Sequence, residues 1–374
     1  MAIDFDARRW EQLRQTYKAW WAGELDRPLM PVELHGRDPG RPQPATPLLT
    51  QATCTDLTVP AEAVADRIDW ELSQRVYLGD AYPYWSMDCF GPGVVAAIMG
   101  ARLDNSTGRV WFHPPKEMPI TELHLEYDPD NVWLRRLKEL CAAMMKRWQG
   151  QVLVGMTDLG GSLDLISSFR PSEGLLLDLY DHPADVQRVL GEAHAIWHRV
   201  YAEINAILQP QNPGYSAWCS IYSDRPYYIL QCDFCYMIGP EMFRQFVLPE
   251  LDATTRRLER SFYHLDGKGQ LPHLDAVLSL DHLHGVQWVP GAGAPGCEHW
   301  PAIYERILGA GKKTQLWGDF ADIYGLLQQT GVGPGVHYRA SGGTLDQANR
   351  IRGWLDRFAS AGFARTASAC QKKS

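Results

Sequence analysis

Ser261-Phe262-Tyr263-His264-Leu265-Asp266-Gly267 reads as a short buried strand that ends in a polar turn, with glycine marking where the strand stops. Side chains alternate along an extended backbone, so His264 and Asp266 project to the same face and meet at the strand's carboxyl end. The segment before it is equally legible as a helix. Gly239-Pro240-Glu241 sets proline at the first helical position and a carboxylate in the first turn. Phe243, Phe246, Val247 and Leu251 then mark one face, and the helix runs out near Arg256, Arg257 and Arg260. Working outward, strand-like runs at 228–234, 261–266, 285–290, 313–318 and 335–340 alternate with segments of helical period, such as 301–310. This is the rhythm of successive βα units, and it predicts a parallel sheet, open or closed. Thr314-Gln315-Leu316-Trp317-Gly318-Asp319 repeats the pattern of a strand ending in glycine and a carboxylate.

Toward the N-terminus, Phe5, Trp10, Leu13, Tyr17, Trp20 and Trp21 predict an amphipathic helix over 5–22 that stops at Gly23. Leu29-Met30-Pro31-Val32-Glu33-Leu34 follows as a first strand, and residues 36–60, rich in Pro, Gly and Thr, as a loop. Arg109-Val110-Trp111-Phe112-His113 fits one strand of a small added hairpin. A single domain is expected over 1–366, with 367–374 a disordered tail because it has no apolar period.

The chain has 374 residues, 45% of them hydrophobic and 21% charged, which suits one large core. A formal net charge of −8 argues against nucleic acid as a partner. No apolar run approaches the roughly 18 residues of a membrane helix, and the first residues are acidic where a signal peptide is basic. Eight scattered cysteines fit a reducing compartment. A cytoplasmic protein is therefore expected. For the fourteen tryptophans, packing between sheet and helices is the more ordinary role than walling a pocket.

His264 and Asp266 can hold a divalent metal through nitrogen and oxygen, or act as an orienting pair in acid–base chemistry. The plain structural alternative is a histidine satisfied by nearby backbone and an aspartate capping the turn. Cys232-Asp233-Phe234-Cys235 holds a lone CxxC, for which buried thiols are the favoured reading, while Asp233 at the strand end is expected to face the pocket. Asp158-Leu159-Gly160-Gly161-Ser162 again sets an aspartate at a strand end, with glycines that serve a close ligand approach or a tight turn. Gly331-Val332-Gly333-Pro334-Gly335 lacks the Lys-Ser/Thr of a phosphate loop and reads as a turn. Neither a GxSxG elbow nor an HExxH helix is present.

Taken in order, several runs resemble the uroporphyrinogen decarboxylase-like superfamily. They are Gly23-Glu24-Leu25-Asp26-Arg27-Pro28, Asp158-Leu159-Gly160-Gly161, Ile238-Gly239-Pro240-Glu241-Met242-Phe243 and His264–Gly267. Gln287-Trp288-Val289-Pro290-Gly291-Ala292-Gly293 is similar to a subgroup often named for methylamine corrinoid proteins. The superfamily includes corrinoid-linked methyltransferases and, more distantly, cobalamin-independent methionine synthases, and the resemblance spans nearly the whole chain. It implies a (β/α)8 TIM barrel, here with an N-terminal helical extension and the added hairpin, and a cleft at the carboxyl ends of the strands.

Within that superfamily, true decarboxylases clamp substrate carboxylates with an arginine-rich segment after the first strand, where this chain has Arg37 alone. Asp88 stands for their pyrrole-binding aspartate, but the tyrosine expected after Gly160-Gly161 is missing, and His337-Tyr338-Arg339-Ala340-Ser341 replaces a glycine-histidine pair. Coproporphyrinogen production is therefore not implied. The methyltransferase branch binds zinc through His-x-Cys and a distant cysteine. Here His264 matches, Asp266 stands in place of cysteine, and Asp319 or Cys297 is nearest to the distant ligand. Oxygen for sulfur shifts the preference toward other divalent ions.

The resulting expectation is a corrinoid-associated methyltransferase or demethylase acting on a small methylated molecule. In it His264 and Asp266 bind metal or polarise substrate, Asp158 and Asp233 join the chemistry, and Asp88, Trp288, Asp319 and His337 line the substrate site. The corrinoid would come from a partner protein, and superfamily habit implies a homodimer. A lyase acting on a small carboxylic acid and a non-catalytic ligand-binding barrel are the alternatives.

Overall fold

The computed structural model describes residues 3–319, 321–323, 325–326, 333–340 and 343–360. The tail expected at 367–374 and part of the Gly331–Gly335 turn lie outside these residues. In chain order the strands are β1 (Pro31–His35), β2 (Arg75–Gly79), β3 (Tyr84–Ser86), β4 (Arg102–Asp104), β5 (Trp111–His113) and β6 (Leu153–Gly155). They continue as β7 (Tyr227–Gln231), β8 (Arg260–Asp266), β9 (Gly285–Val289), β10 (Lys313–Gly318), β11 (Val336–Ala340) and β12 (Gly343–Thr344).

The five runs read as strands in the C-terminal half form one parallel sheet, in the order β11-β10-β9-β8-β7. β7 is buried along its whole length, as expected for parallel strands covered on both faces by their crossover segments. β1 pairs antiparallel with β2 and parallel with β12. It is also tied to the large sheet, since Leu29 N–H donates to the Val336 carbonyl at 2.9 Å and the Leu29 carbonyl accepts from Tyr338 N–H at 2.8 Å. β3 and β6 form a parallel pair, and β4 with β5 is the added hairpin.

A closed ring of eight strands was the expectation, whereas the described hydrogen-bond ladders give a mixed α/β fold of separate sheets around the five parallel strands. The break beside β6 has a local cause. Asn212 substitutes for a neighbouring strand, its Oδ1 accepting from Val154 N–H at 3.0 Å and its Nδ2 donating to the Val154 carbonyl at 2.9 Å. Met156 N–H then donates to the Ser216 carbonyl at 2.9 Å. With these backbone groups satisfied by a side chain and an irregular segment, no ladder runs from β6 to β7.

The N-terminal helix forms over Ala7–Ala22, capped by the Asp6 side chain at its start and by left-handed Gly23 at its end. It lies across the amino-terminal ends of the strands: Trp20 stacks on Phe262, the Arg260 guanidinium sits over Trp21, and Trp21 Nε1 donates to the Tyr222 carbonyl. Beside it Arg27 grips Asp80 through two hydrogen bonds of 2.7 and 2.8 Å, and Asp80 also accepts from Met30 N–H at 2.7 Å. Arg27 of the Gly23–Pro28 run thus fixes the start of β1.

The helix expected from Gly239 to Arg257 is two helices, Pro240–Phe246 and Leu248–Arg257. Pro249 lacks an N–H and its ring crowds the preceding turn, so the helix restarts there. Among the described residues no helix is long and apolar enough to cross a membrane.

Candidate metal and substrate site

Three of the residues read from the sequence converge at the carboxyl ends of β7 and β8. Single ligating atoms of Asp233, His264 and Asp266 all lie within 4.8 Å of one another, and His264 Nε2 is 4.0 Å from Asp266 Oδ2. The extended backbone of β8 puts His264 and Asp266 on one face, as their spacing requires. Asp233 arrives differently. The run 228–234 stops being a strand after Gln231 because the Asp164 carboxylate takes the N–H groups of Asp233 (3.0 Å) and Phe234 (2.7 Å), turning the chain into a short 3-10 helix.

This is a carboxylate-rich corner. Burial raises the Asp164 carboxyl above the usual range, and the charge of Asp233 pushes the same way. Asp233 is itself raised, first by desolvation; His264 opposes that shift and Asp266 adds to it. Asp158, which follows β6, is pushed up to about 7 by burial, although Gly160 N–H and Gln231 Nε2 donate to it at 2.9 and 3.1 Å.

One imidazole nitrogen and two carboxylate oxygens make a donor set suited to a divalent cation, with hard oxygen character that is less selective for zinc than thiolates. The Gln287 side-chain oxygen meets His264 Nδ1 on the other side of the ring, the outer support that metal-binding histidines usually have. Cys297 and Asp319 take no part in the trio. Cys297 lies against Gly318 at the end of β10, and Asp319 is exposed and caps the next turn through Asp322 N–H.

The remaining expected residues fall in three places. Asp88 follows β3 and lines a cavity of about 880 Å³ together with Glu33, Arg75, Trp218, Trp317 and Arg339. Burial raises its carboxyl as well. Trp288 is buried next to inward-facing Gln287 on β9, and alternation sends it to the other face, edge-on to Trp300 with ring centres 5.4 Å apart. His337 is wholly buried beneath the mouth, bonded to Gln315 and Tyr17.

Asp164, Gln287, Gln315 and Arg339 were not singled out from the sequence. Gln287 and Gln315 share the register row of His264 through the strand ladders, a match that the runs taken along the chain do not show. Arg339 lies two residues beyond His337 in the last run. It closes the cavity with its guanidinium 5.6 Å from the Trp317 ring, and no described carboxylate pairs with it.

No family model matches the chain, and no curated protein matches it in sequence. In fold it is similar to a methyltransferase from Methanosarcina mazei, with a TM-score of 0.58 and 12% sequence identity over 93% of this chain and 99% of that one.

Proposed function

We propose that this chain is a methyltransferase-type enzyme of the uroporphyrinogen decarboxylase-like barrels, acting on a small methylated substrate at the carboxyl ends of its strands. The observation that carries the reading is the convergence of Asp233, His264 and Asp266 at the place where α/β enzymes of this kind build their sites. The fold it shares with the Methanosarcina mazei methyltransferase supports it. The three residues would hold a divalent cation, which when bound supplies Lewis acidity toward a substrate or acceptor heteroatom.

Around them the protein's own groups position and screen. Asp164 fixes the turn that carries Asp233, and Trp218 stands edge-on to His264 with ring centres 5.0 Å apart. The cavity beside Asp88 and Arg339 receives the rest of the substrate. In this reading a corrinoid presented by a partner protein would supply the methyl-exchange chemistry at the mouth. A second reading, a lyase of a small carboxylic acid, is favoured by one observation: Arg109 and Arg339 line the cavity without a described carboxylate partner.

The test is elemental analysis of protein purified without chelator, beside Asp233→Ala, His264→Ala and Asp266→Ala. The expected outcome is stoichiometric metal in the wild type and its loss in each variant; a metal-free wild type that still turns over sinks the cation. A spectral change on adding methylcobalamin or cob(I)alamin with substrate separates methyl transfer from the lyase, for which carbon dioxide release without a corrinoid change is the signature.

A further inference from the structure

Level with His264 of the metal trio, Gln231, His264, Gln287, Gln315 and His337 occupy one register row across the five parallel strands. Four of them bond in sequence. His264 Nδ1 meets Gln287 Oε1, Gln287 Nε2 donates to Gln315 Oε1, and Gln315 Nε2 lies 3.1 Å from His337 Nδ1. His337 Nε2 is 3.3 Å from the Tyr17 hydroxyl, which donates to the Asp80 carbonyl at 3.4 Å. The chain therefore runs from the mouth to the N-terminal helix, which lies across the amino-terminal ends of the strands.

Its direction follows from its last member. A backbone carbonyl can only accept, and Tyr17 is the one described donor to the Asp80 carbonyl, so the single hydroxyl proton of Tyr17 is committed there. The Tyr17 oxygen must then accept from an N–H at His337 Nε2. Burial, with Arg339 acting in the same sense, pushes His337 down to about 3, so this ring is neutral and its Nδ1 is a lone pair. That lone pair needs the Gln315 amide N–H, which turns the Gln315 oxygen toward the Gln287 amide nitrogen. The second N–H of Gln287 finds Cys219 Sγ at 3.1 Å, in keeping with the same orientation. Only the Gln287 oxygen is left to face His264, and it requires a hydrogen on Nδ1.

We propose that Tyr17, His337, Gln315 and Gln287 form a relay that sets the tautomer of His264, holding its hydrogen on Nδ1 and presenting Nε2 as a lone pair to a divalent cation shared with Asp233 and Asp266. The four are positioning residues. Tyr17 reaches the site only through three intervening side chains. The inference takes its ligand from the cation reading above, but the tautomer it assigns exists in the metal-free protein and can be tested there.

The experiment is 15N NMR of the histidine rings in metal-free protein near pH 8, with His264 assigned from its loss in His264→Gln, followed by zinc titration against a competing chelator. The wild type is expected to show a protonated Nδ1 and a bare Nε2. Tyr17→Phe frees the chain to reverse, and is expected to give a mixture of tautomers and roughly tenfold weaker zinc binding. Gln287→Leu is expected to weaken zinc by about 10–100-fold, and Gln287→Glu, which keeps an acceptor for Nδ1–H, to restore it. A wild-type His264 carrying its hydrogen on Nε2 overturns the relay. So does a Tyr17→Phe variant that melts earlier but keeps its tautomer and its zinc affinity. If the wild type binds no zinc, the cation reading falls, and the tautomer spectra still decide the relay.

Discussion

Asp80 at the amino-terminal end of the strands and Asp158 at the carboxyl end are equally buried, each with 7% of its surface exposed. Burial alone therefore does not distinguish them. Asp80 is gripped by the fork of Arg27 and by Met30 N–H, so its charge is matched where it sits. Asp158 has hydrogen bonds but no described cation, and Asp233 and Asp88 add like charge to its burial. One end of the molecule neutralises its carboxylates and serves the scaffold. At the other, Asp158, Asp164 and Asp233 stand close together with no described Lys or Arg paired to them, and that local arrangement favours a cation or a proton as its partner.

The sharpest way to break this contrast is at the paired end. Asp80→Ala takes the carboxylate from the Arg27 guanidinium, which keeps only the Pro28 carbonyl, and leaves Met30 N–H without its acceptor; it is expected to cost about 3–5 kcal/mol in denaturant unfolding. Arg27→Lys keeps the charge but loses the fork, and is expected to cost less. If Asp80→Ala is neutral, the two ends do not differ as described.

At the mouth the corresponding probe is steric. A Cβ on Gly161 would stand 2.2 Å from the Gln231 carbonyl and 2.8 Å from Asp164 Oδ2, so Gly161→Ala must move the end of β7 away from the carboxylate that positions Asp233. A loss of about 1–3 kcal/mol is expected, together with weaker metal retention. Unchanged metal content in a destabilised Gly161→Ala protein would show that the trio does not depend on this packing.

The two ends were also unequally legible in the sequence. The N-terminal helix showed itself because Trp10, Leu13, Tyr17, Trp20 and Trp21 recur at helical spacing, and all are buried. β7 to β11 were legible as apolar runs set off by turn residues, and the two-residue spacing of His264 and Asp266 gave their common face. What the sequence could not carry is register. Nothing along the chain says that Gln287 lies beside His264, or that Asp164, on a helix some seventy residues earlier, bends β7 so that Asp233 completes the trio. β3 and β6 are only three residues each, too short for a period to show. The glycine pair at 160–161, open between ligand approach and turn, serves packing: Gly160 is left-handed and a Cβ there would meet Gly93 Cα at 2.8 Å.

The mildest probe of the contrast is Asp158→Asn, read across pH. The Asp158 carboxyl titrates near 7 in the folded protein, against about 3.9 in an unfolded chain. Folding therefore favours its protonated form. Its contribution to stability is intact below about pH 4, falls as pH rises through about 7, and stays low above that. Asparagine keeps an oxygen for Gly160 N–H and Gln231 Nε2 and never acquires the charge, but it brings amide hydrogens that need acceptors, an opposing cost. Relative to wild type, the variant is expected to gain on the order of 2 kcal/mol between pH 5 and pH 8, measured by denaturant unfolding of metal-free protein. The same comparison with a divalent ion present should reduce the gain only in part, because a cation on Asp233, His264 and Asp266 relieves the repulsion that Asp233 exerts on Asp158 but not the burial that is the main cause of its shift. A gain that is the same at both pH values would mean that Asp158 is already charged without penalty, and the mouth would then be no more electrostatically strained than the end held by Arg27.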